Sequence, residues 1–358
     1  MASGTPAGTP RQVYLDWARG IAVLLMIEAH TVDAWTRMAD RKSHGFMWAG
    51  VFGGFAAPLF LWLAGVSLVL SASSTLRRSG SCRTAVEAVV FRGLQVFVFA
   101  FLFRLQAFVI SPGSAPVTIF RVDILNVMGP AIAACALVWG LTSSRAAQVV
   151  LFSVAATALA MVTPIVRTLP IVDALPMWVQ WHLRPFGDYT TFTAFPWTAF
   201  VFAGAALGVL VSAARDRATE WRLHRWLALV GIALIGLGFY TAYRPSIYAQ
   251  SSFWSSSPTF FAIRLGILTL GLALLFMLST LPRLTGALPW LERFGQHSLF
   301  IYWIHIELVY GYATWPLRKK LPYFWGWFIA YVLFTVAMYY AIDLQAWVVR
   351  AWRSRQQL

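Results

Sequence analysis

The sequence predicts an all-α, polytopic membrane protein with about ten transmembrane helices and both termini in the cytoplasm. Three observations carry this reading. Of 358 residues, 59% are apolar and 11% charged, so the chain holds many runs of the roughly 20 apolar residues that a bilayer-spanning helix needs. The basic residues fall in short clusters between those runs, as topology signals do. The 18 Trp and 12 Tyr match the aromatic belts of a membrane interface. The formal charge of +15 would suit nucleic acid on a soluble face, but here it is spread over loops. The expected partner surface is therefore a lipid bilayer and not a nucleic acid.

The predicted helices cover about 14–36, 48–72, 85–110, 121–142, 146–166, 193–213, 226–243, 258–280, 293–314 and 324–348. Arg77, Arg78 and Arg83 follow the second helix, Arg145 the fourth, and Arg215, Arg217, Arg222 and Arg225 the sixth. Arg283 and Arg293 flank the ninth, and Arg350, Arg353 and Arg355 close the chain. With all of these in the cytoplasm the positive-inside rule is met, except at Arg37–Lys42 and Arg318–Lys320, which fall outside. The longest external loop, about 167–192, carries Asp173, Trp178, Trp181, His182, Arg184 and Asp188. Its aromatic and proline content predicts a re-entrant or interfacial cover rather than a folded domain.

Residues 1–358 read as a single transmembrane domain. Neither an internal repeat nor inverted symmetry is visible, which weakens a secondary-transporter reading. The leading MASGTPAGTPRQ lacks a signal-peptide pattern, so the first helix is expected to stay in the protein. Cys82 and Cys135 define neither a disulfide framework nor a metal motif, and no metal is expected. Small residues on several helices permit a homodimer without requiring one.

The first helix and the loop after it concentrate ionisable groups at or near lipid depth: Asp16, Arg19, Glu28, His30, Asp33 and His44. Such groups are costly there and mark a site. Arg19 and His30 are eleven residues apart, about three turns, so they share a face roughly 16 Å apart along the axis. Asp33 follows His30 by one turn, where a carboxylate is predicted to fix the imidazole tautomer and raise its basicity. Together they make a base with an orienter. His44 lies fourteen residues before Pro58, with Gly50, Gly53 and Gly54 between. Glycines allow close approach of a ligand or a helix, and the proline frees a carbonyl to line a cavity. A lone loop histidine is usually inert.

Further polar residues interrupt other helices. Arg92 and Gln95 sit at i, i+3 in the third, with Arg104 further along, and Arg264 is inside the eighth. Arg121, Asp123 and Asn126 open the fourth on the external side; Asp123 and Asn126 share a face, which suits either a helix cap or a site. His305 and Glu307, two residues apart, cannot face the same way, and His305 is the cavity candidate. Asp343 reads as a packing or boundary residue.

These residues carry a resemblance. The segments YLDWARGIAVLLMIEAH, His44 and FAAPLFLWLAGVSL, followed by RVDILNVMGP, FPWTAFVFAGAALG and FGQHSLFIYWIH, resemble the transmembrane acyltransferases related to heparan-alpha-glucosaminide N-acetyltransferase, over nearly the whole chain. The resemblance implies transfer of an acetyl group from cytoplasmic acetyl-CoA to a sugar or glycan acceptor on the far side of the membrane. It implies a catalytic role for His44, which matches the family's loop histidine in its distance from the proline. His30 stands where the lysosomal enzyme has a functional asparagine. The Arg19-to-His30 spacing is also similar to the arginine, ten residues, histidine motif of acyltransferase family 3, whose histidine is catalytic. Gly54 departs from the aspartate usual before this apolar run.

Both histidines are therefore candidates for the general base, with His30 ahead because Arg19 shares its face. The phosphates of CoA need arginine at the cytoplasmic mouth, and Arg19, Arg92 and Arg293 are the candidates. The implied setting is a bacterial-type inner membrane and an envelope glycan. The rival class is a transporter or carrier of a polar or lipid-linked envelope precursor, in which buried charges bind and move a ligand.

Overall fold

A computed structural model describes residues 12–110, 115–214 and 216–355. The leading segment to Arg11, Arg215 and the side chain of Arg355 lie outside the described residues, so the topology signals read there have no structural counterpart. Among the described residues the chain is almost wholly helical, with two isolated bridges and no strand.

Helices occupy all ten predicted runs. They are α1 (Val13–Trp35), α2 (His44–Gly53) with α3 (Ala56–Ser79), α4 (Cys82–Ile110), α5 (Ile124–Gly140), α6 (Arg145–Thr168), the short α7 (Met177–Leu183), α8 (Ala194–Ala213) and α9 (Arg217–Ala242). Then come α10 (Pro258–Ser279), α11 (Pro282–Ala287), α12 (Pro289–Gln296), α13 (Ser298–Tyr310) and α14 (Phe328–Arg355). Seven segments are long and apolar enough to cross a bilayer: 44–79, 82–109, 145–168, 194–213, 217–242, 258–279 and 323–354. The other three predicted runs differ for identifiable reasons. Helix α1 carries Asp16, Arg19, Glu28 and Asp33, while α5 and α13 have only 17 and 13 residues. The run predicted at 293–314 is two helices, because His297 leaves helical geometry (φ −105°, ψ 19°) and parts α12 from α13.

Helix α1 lies at the centre, packed against α2, α3, α10, α12, α13 and α14. Trp17, Ala22, Val23 and Ile27 on it are fully buried. Its closeness to α12 depends on Gly295, where an added Cβ would lie 2.1 Å from the Asp16 carbonyl oxygen. At the other end α1 is tied to the segment before α14: the Lys319 and Leu321 amides donate to the Ala34 and Trp35 carbonyls at 2.9 Å each, and the Arg37 amide donates to Leu321. These bonds satisfy carbonyls that the helix end would leave unpaired.

The loop after α1 is pinned to the same segment by Asp40, which accepts from Arg37 Nε at 2.9 Å and from the Tyr323 amide at 2.8 Å. The Arg37 bond, followed by the Tyr323 amide, holds this carboxyl below the ordinary carboxylate range. A depressed folded-state pKa gives a contribution that is complete above the unfolded pKa and lost only as pH falls through the folded one. Protection of the Tyr323 amide from hydrogen exchange is therefore expected to persist from neutral into mildly acid solution and to disappear in strong acid. In Asp40→Ala it is expected to be absent at neutral pH.

The 167–192 segment forms a cover. Trp181 is buried and stacks on Tyr189 at 4.8 Å, and Trp178 Nε1 donates to the Phe120 carbonyl at 2.9 Å. The Val122 amide donates to Tyr189 and the Thr191 amide to Val122, joining the cover to the start of α5. Burial holds the His182 imidazole below its usual pKa, so it is neutral at physiological pH.

Candidate active site

Arg19, His30 and Asp33 of α1 face a cavity of about 1070 Å³ lined by α1–α5, α8, α10 and α13. Arg19, Ser67, Ser71 and Arg92 line one end, and Asp33, Arg121, Thr191 and Tyr310 the other. Arg19 and Asp33 are fourteen residues apart on one helix, so the cavity runs roughly 21 Å along it. It follows the three-turn spacing of polar residues that α1 presents.

His30 is half-buried on the cavity wall. Its Nδ1 lies 2.9 Å from Nε2 of His305, and the two rings are parallel with centroids 5.0 Å apart. His305 is fully buried on α13, and its Nδ1 lies 2.7 Å from the carbonyl oxygen of Ile301. That oxygen only accepts, so Nδ1 of His305 carries the proton, and with both rings neutral its Nε2 is an acceptor. Nδ1 of His30 must then donate, which leaves Nε2 of His30 as the unprotonated nitrogen. The helical carbonyl of Ile301 thus determines, through His305, which nitrogen of His30 is basic.

Asp33 is not the orienter that the i, i+3 spacing predicts. It is exposed, takes the Tyr310 hydroxyl at 3.1 Å and pairs with Arg41 at 3.3 Å. The Tyr310 phenol from α13 and the Arg41 guanidinium from the loop just after α1 occupy the carboxylate, while the imidazole is engaged by His305. Helix α13 also reverses one expectation: His305 stands behind His30, whereas Glu307, Tyr302 and Tyr310 from the same helix reach the cavity. His44 is exposed as the first residue of α2, after the cap made by Ser43, and does not line the cavity.

The arginine candidates separate. Arg19 lines the cavity, with its guanidinium held by Asp16 at 2.7 Å and by Ser67 Oγ at 2.8 Å. Arg92 also lines it and is exposed, with a weak contact to Gln95 at 3.5 Å. Arg293 does not line the cavity: it pairs with Asp343 and lies over the Tyr339 ring, joining α12 to α14. Asp123 combines the two roles left open for it. It caps α5, accepting from the Leu125 amide, and it pairs with Arg104 at 2.7 Å on the cavity wall. Asn126 closes the capping box by accepting from the Asp123 amide at 3.0 Å and is buried away from the cavity. Glu307 and Tyr310 escaped the sequence reading as cavity residues, because a phase read from one helix does not say which neighbour it faces.

An apolar helical bundle around a largely apolar cavity that carries several arginines and carboxylates, and an imidazole hydrogen-bonded to a second one behind it, defines a membrane-embedded protein with a ligand-sized interior site. The family model described as heparan-alpha-glucosaminide N-acetyltransferase, catalytic, matches residues 11–245, well over half of the chain, and the protein belongs to this family. The matched region contains α1 to α9, hence His30 and most of the cavity wall, and leaves out α13 with His305. Comparison with curated proteins returned no match.

Proposed function

We propose that the protein is a membrane-integral acetyltransferase that takes acetyl-CoA from the cytoplasmic side and acetylates a sugar or glycan acceptor on the opposite side, with His30 as general base. The observation that carries this reading is the 2.9 Å contact that His305 makes with Nδ1 of His30 on the wall of a cavity that also reaches Arg92, leaving Nε2 of His30 for the acceptor. The bundle then has about ten spans with both termini inside, α1, α5 and α13 crossing through shielding by the surrounding helices. Arg92, with no carboxylate partner among the described residues, is available to the CoA phosphates. Arg19, already engaged, shapes the passage for the pantetheine arm.

The step balances on these groups. The acceptor oxygen or nitrogen attacks the thioester carbonyl carbon while Nε2 of His30 takes its proton. The C–S bond then breaks, and the CoA sulfur leaves with a proton returned from the imidazolium. His305 keeps Nδ1 of His30 occupied throughout, so the ring cannot turn its protonated nitrogen to the acceptor. Acetyl-labelled CoA supplied to the purified full chain with amino sugars and envelope glycans tests this. Label in the glycan fraction with matching release of free thiol is the expected result; thiol release and labelling both at background would sink the proposal.

A further inference from the structure

The main cavity has a flank. A smaller cavity of about 240 Å³ lies between α2 and α10, lined by Met47, Gly50, Val51, Trp254, Phe260 and Arg264. Gly50 and Arg264 line both cavities and so stand at their junction. A Cβ on Gly50 would meet nothing within 4 Å, so the absent side chain leaves open space rather than a helix contact. Arg264 is the polar group there. Its guanidinium lies 4.1 Å from the Phe260 ring centroid and 5.7 Å from that of Trp197.

The charge on Arg264 has no counterpart among the described residues. Its Nε is buried without a hydrogen-bond partner, and no carboxylate pairs with it among the described residues. Arg19 and Arg104 on the same cavity wall are paired with Asp16 and Asp123. A cation held among aromatic rings inside a membrane helix is costly without an anion, which marks it as a ligand's partner. Everything else around the flank cavity is apolar, and Met47, Trp48, Phe52 and Trp254 expose large side chains beside it.

We propose that this junction is a lateral portal for a membrane-borne amphiphile with a phosphate headgroup. The apolar chain lies along Met47, Val51, Trp254 and Phe260, the phosphate is held by the fork of Arg264, and the polar remainder projects through the gap at Gly50 into the main cavity. Identification of this amphiphile as the acceptor rests on the acetyltransferase reading; the portal itself does not.

The test places the full chain in lipid nanodiscs with two photoactivatable probes carrying the same diazirine acyl chain, one a phosphatidic acid and one an uncharged diacylglycerol. Phosphatidic acid is expected to label α2 and the start of α10. Arg264→Gln is expected to reduce that labelling about tenfold, the size of one charge-assisted bond to phosphate, while Arg264→Lys retains most of it. Gly50→Phe, whose ring occupies the junction of the two cavities, is expected to block labelling, with an unchanged melting temperature as the check on the fold. Equal labelling by the uncharged probe, or unchanged labelling in Arg264→Gln, would overturn the portal. Competition by glycerol 3-phosphate as effective as that by the lipid would also overturn it, by pointing to a water-soluble source. Thiol release from acetyl-CoA in the same nanodiscs separates the two readings: labelling without release leaves the portal and removes the acetyltransferase, and release without labelling does the reverse.

Discussion

His30→Ala is expected to lower acetyl transfer by about 10²–10⁴-fold, the range a positioned general base contributes, with the melting temperature recorded alongside because the variant also leaves Nε2 of the buried His305 unpaired. The partner variants distinguish a base from a packing residue. His305→Leu removes the acceptor of the Nδ1 proton and frees the His30 ring, so activity falls although no group touching substrate has changed. His305→Gln offers a side-chain oxygen in its place and is expected to restore part of the loss. His44→Ala is expected to leave the rate unchanged, since His44 is exposed outside the cavity. The measurement is the initial rate of acceptor acetylation together with thiol release. A full loss in His44→Ala beside an unaffected His30→Ala would transfer the base to the loop.

Gly204→Ala is expected to destabilise the bundle by about 3 kcal/mol, the upper part of the range for overpacking a close contact. A Cβ at Gly204 would lie 1.9 Å from the Trp62 carbonyl oxygen, and one at Gly65 would lie 2.0 Å from that of Val201. Both obstacles are backbone, which cannot rotate away, so α3 and α8 must separate along the contact that buries Leu61, Trp62 and Phe200. Gly236→Ala is the control. It lies in α9 with nothing within 4 Å of the added Cβ, and it is expected to be neutral or stabilising because alanine favours helix. Thermal unfolding in detergent, followed by tryptophan fluorescence, reads both. Equal melting temperatures for the two variants would refute the packing argument.

The legible parts were those that depend on local pattern. The predicted apolar runs are helical, and seven segments are long and apolar enough to cross a bilayer, because a chain in hydrocarbon must satisfy its backbone within each segment. The Asp123–Asn126 pair suits a cap or a site in the sequence because a capping box is four residues long, and the structure shows the box closed with Asp123 also on the cavity wall. The spacing of Arg19 and His30 placed both on one wall because helical phase is a property of one segment. The differences all involve partners outside the pattern of one helix. Proximity along α1 predicts Asp33 beside His30, whereas Tyr310 and Arg41 hold it. The place of Arg293 near a helix end suggests a phosphate ligand, whereas it pairs with Asp343 and does not line the cavity.

Composition and periodicity by themselves determined that this chain is a helical membrane protein with ionisable groups buried along its first helix, since hydropathy and helical phase act over a few residues. Only the tertiary structure decided that His305 rather than Asp33 meets the His30 ring, that His44 lies outside the cavity, and that Arg264 has no carboxylate partner among the described residues. Those outcomes depend on which side chains from distant helices arrive at the same point, and one carboxylate or one imidazole proton can satisfy only the partner that reaches it.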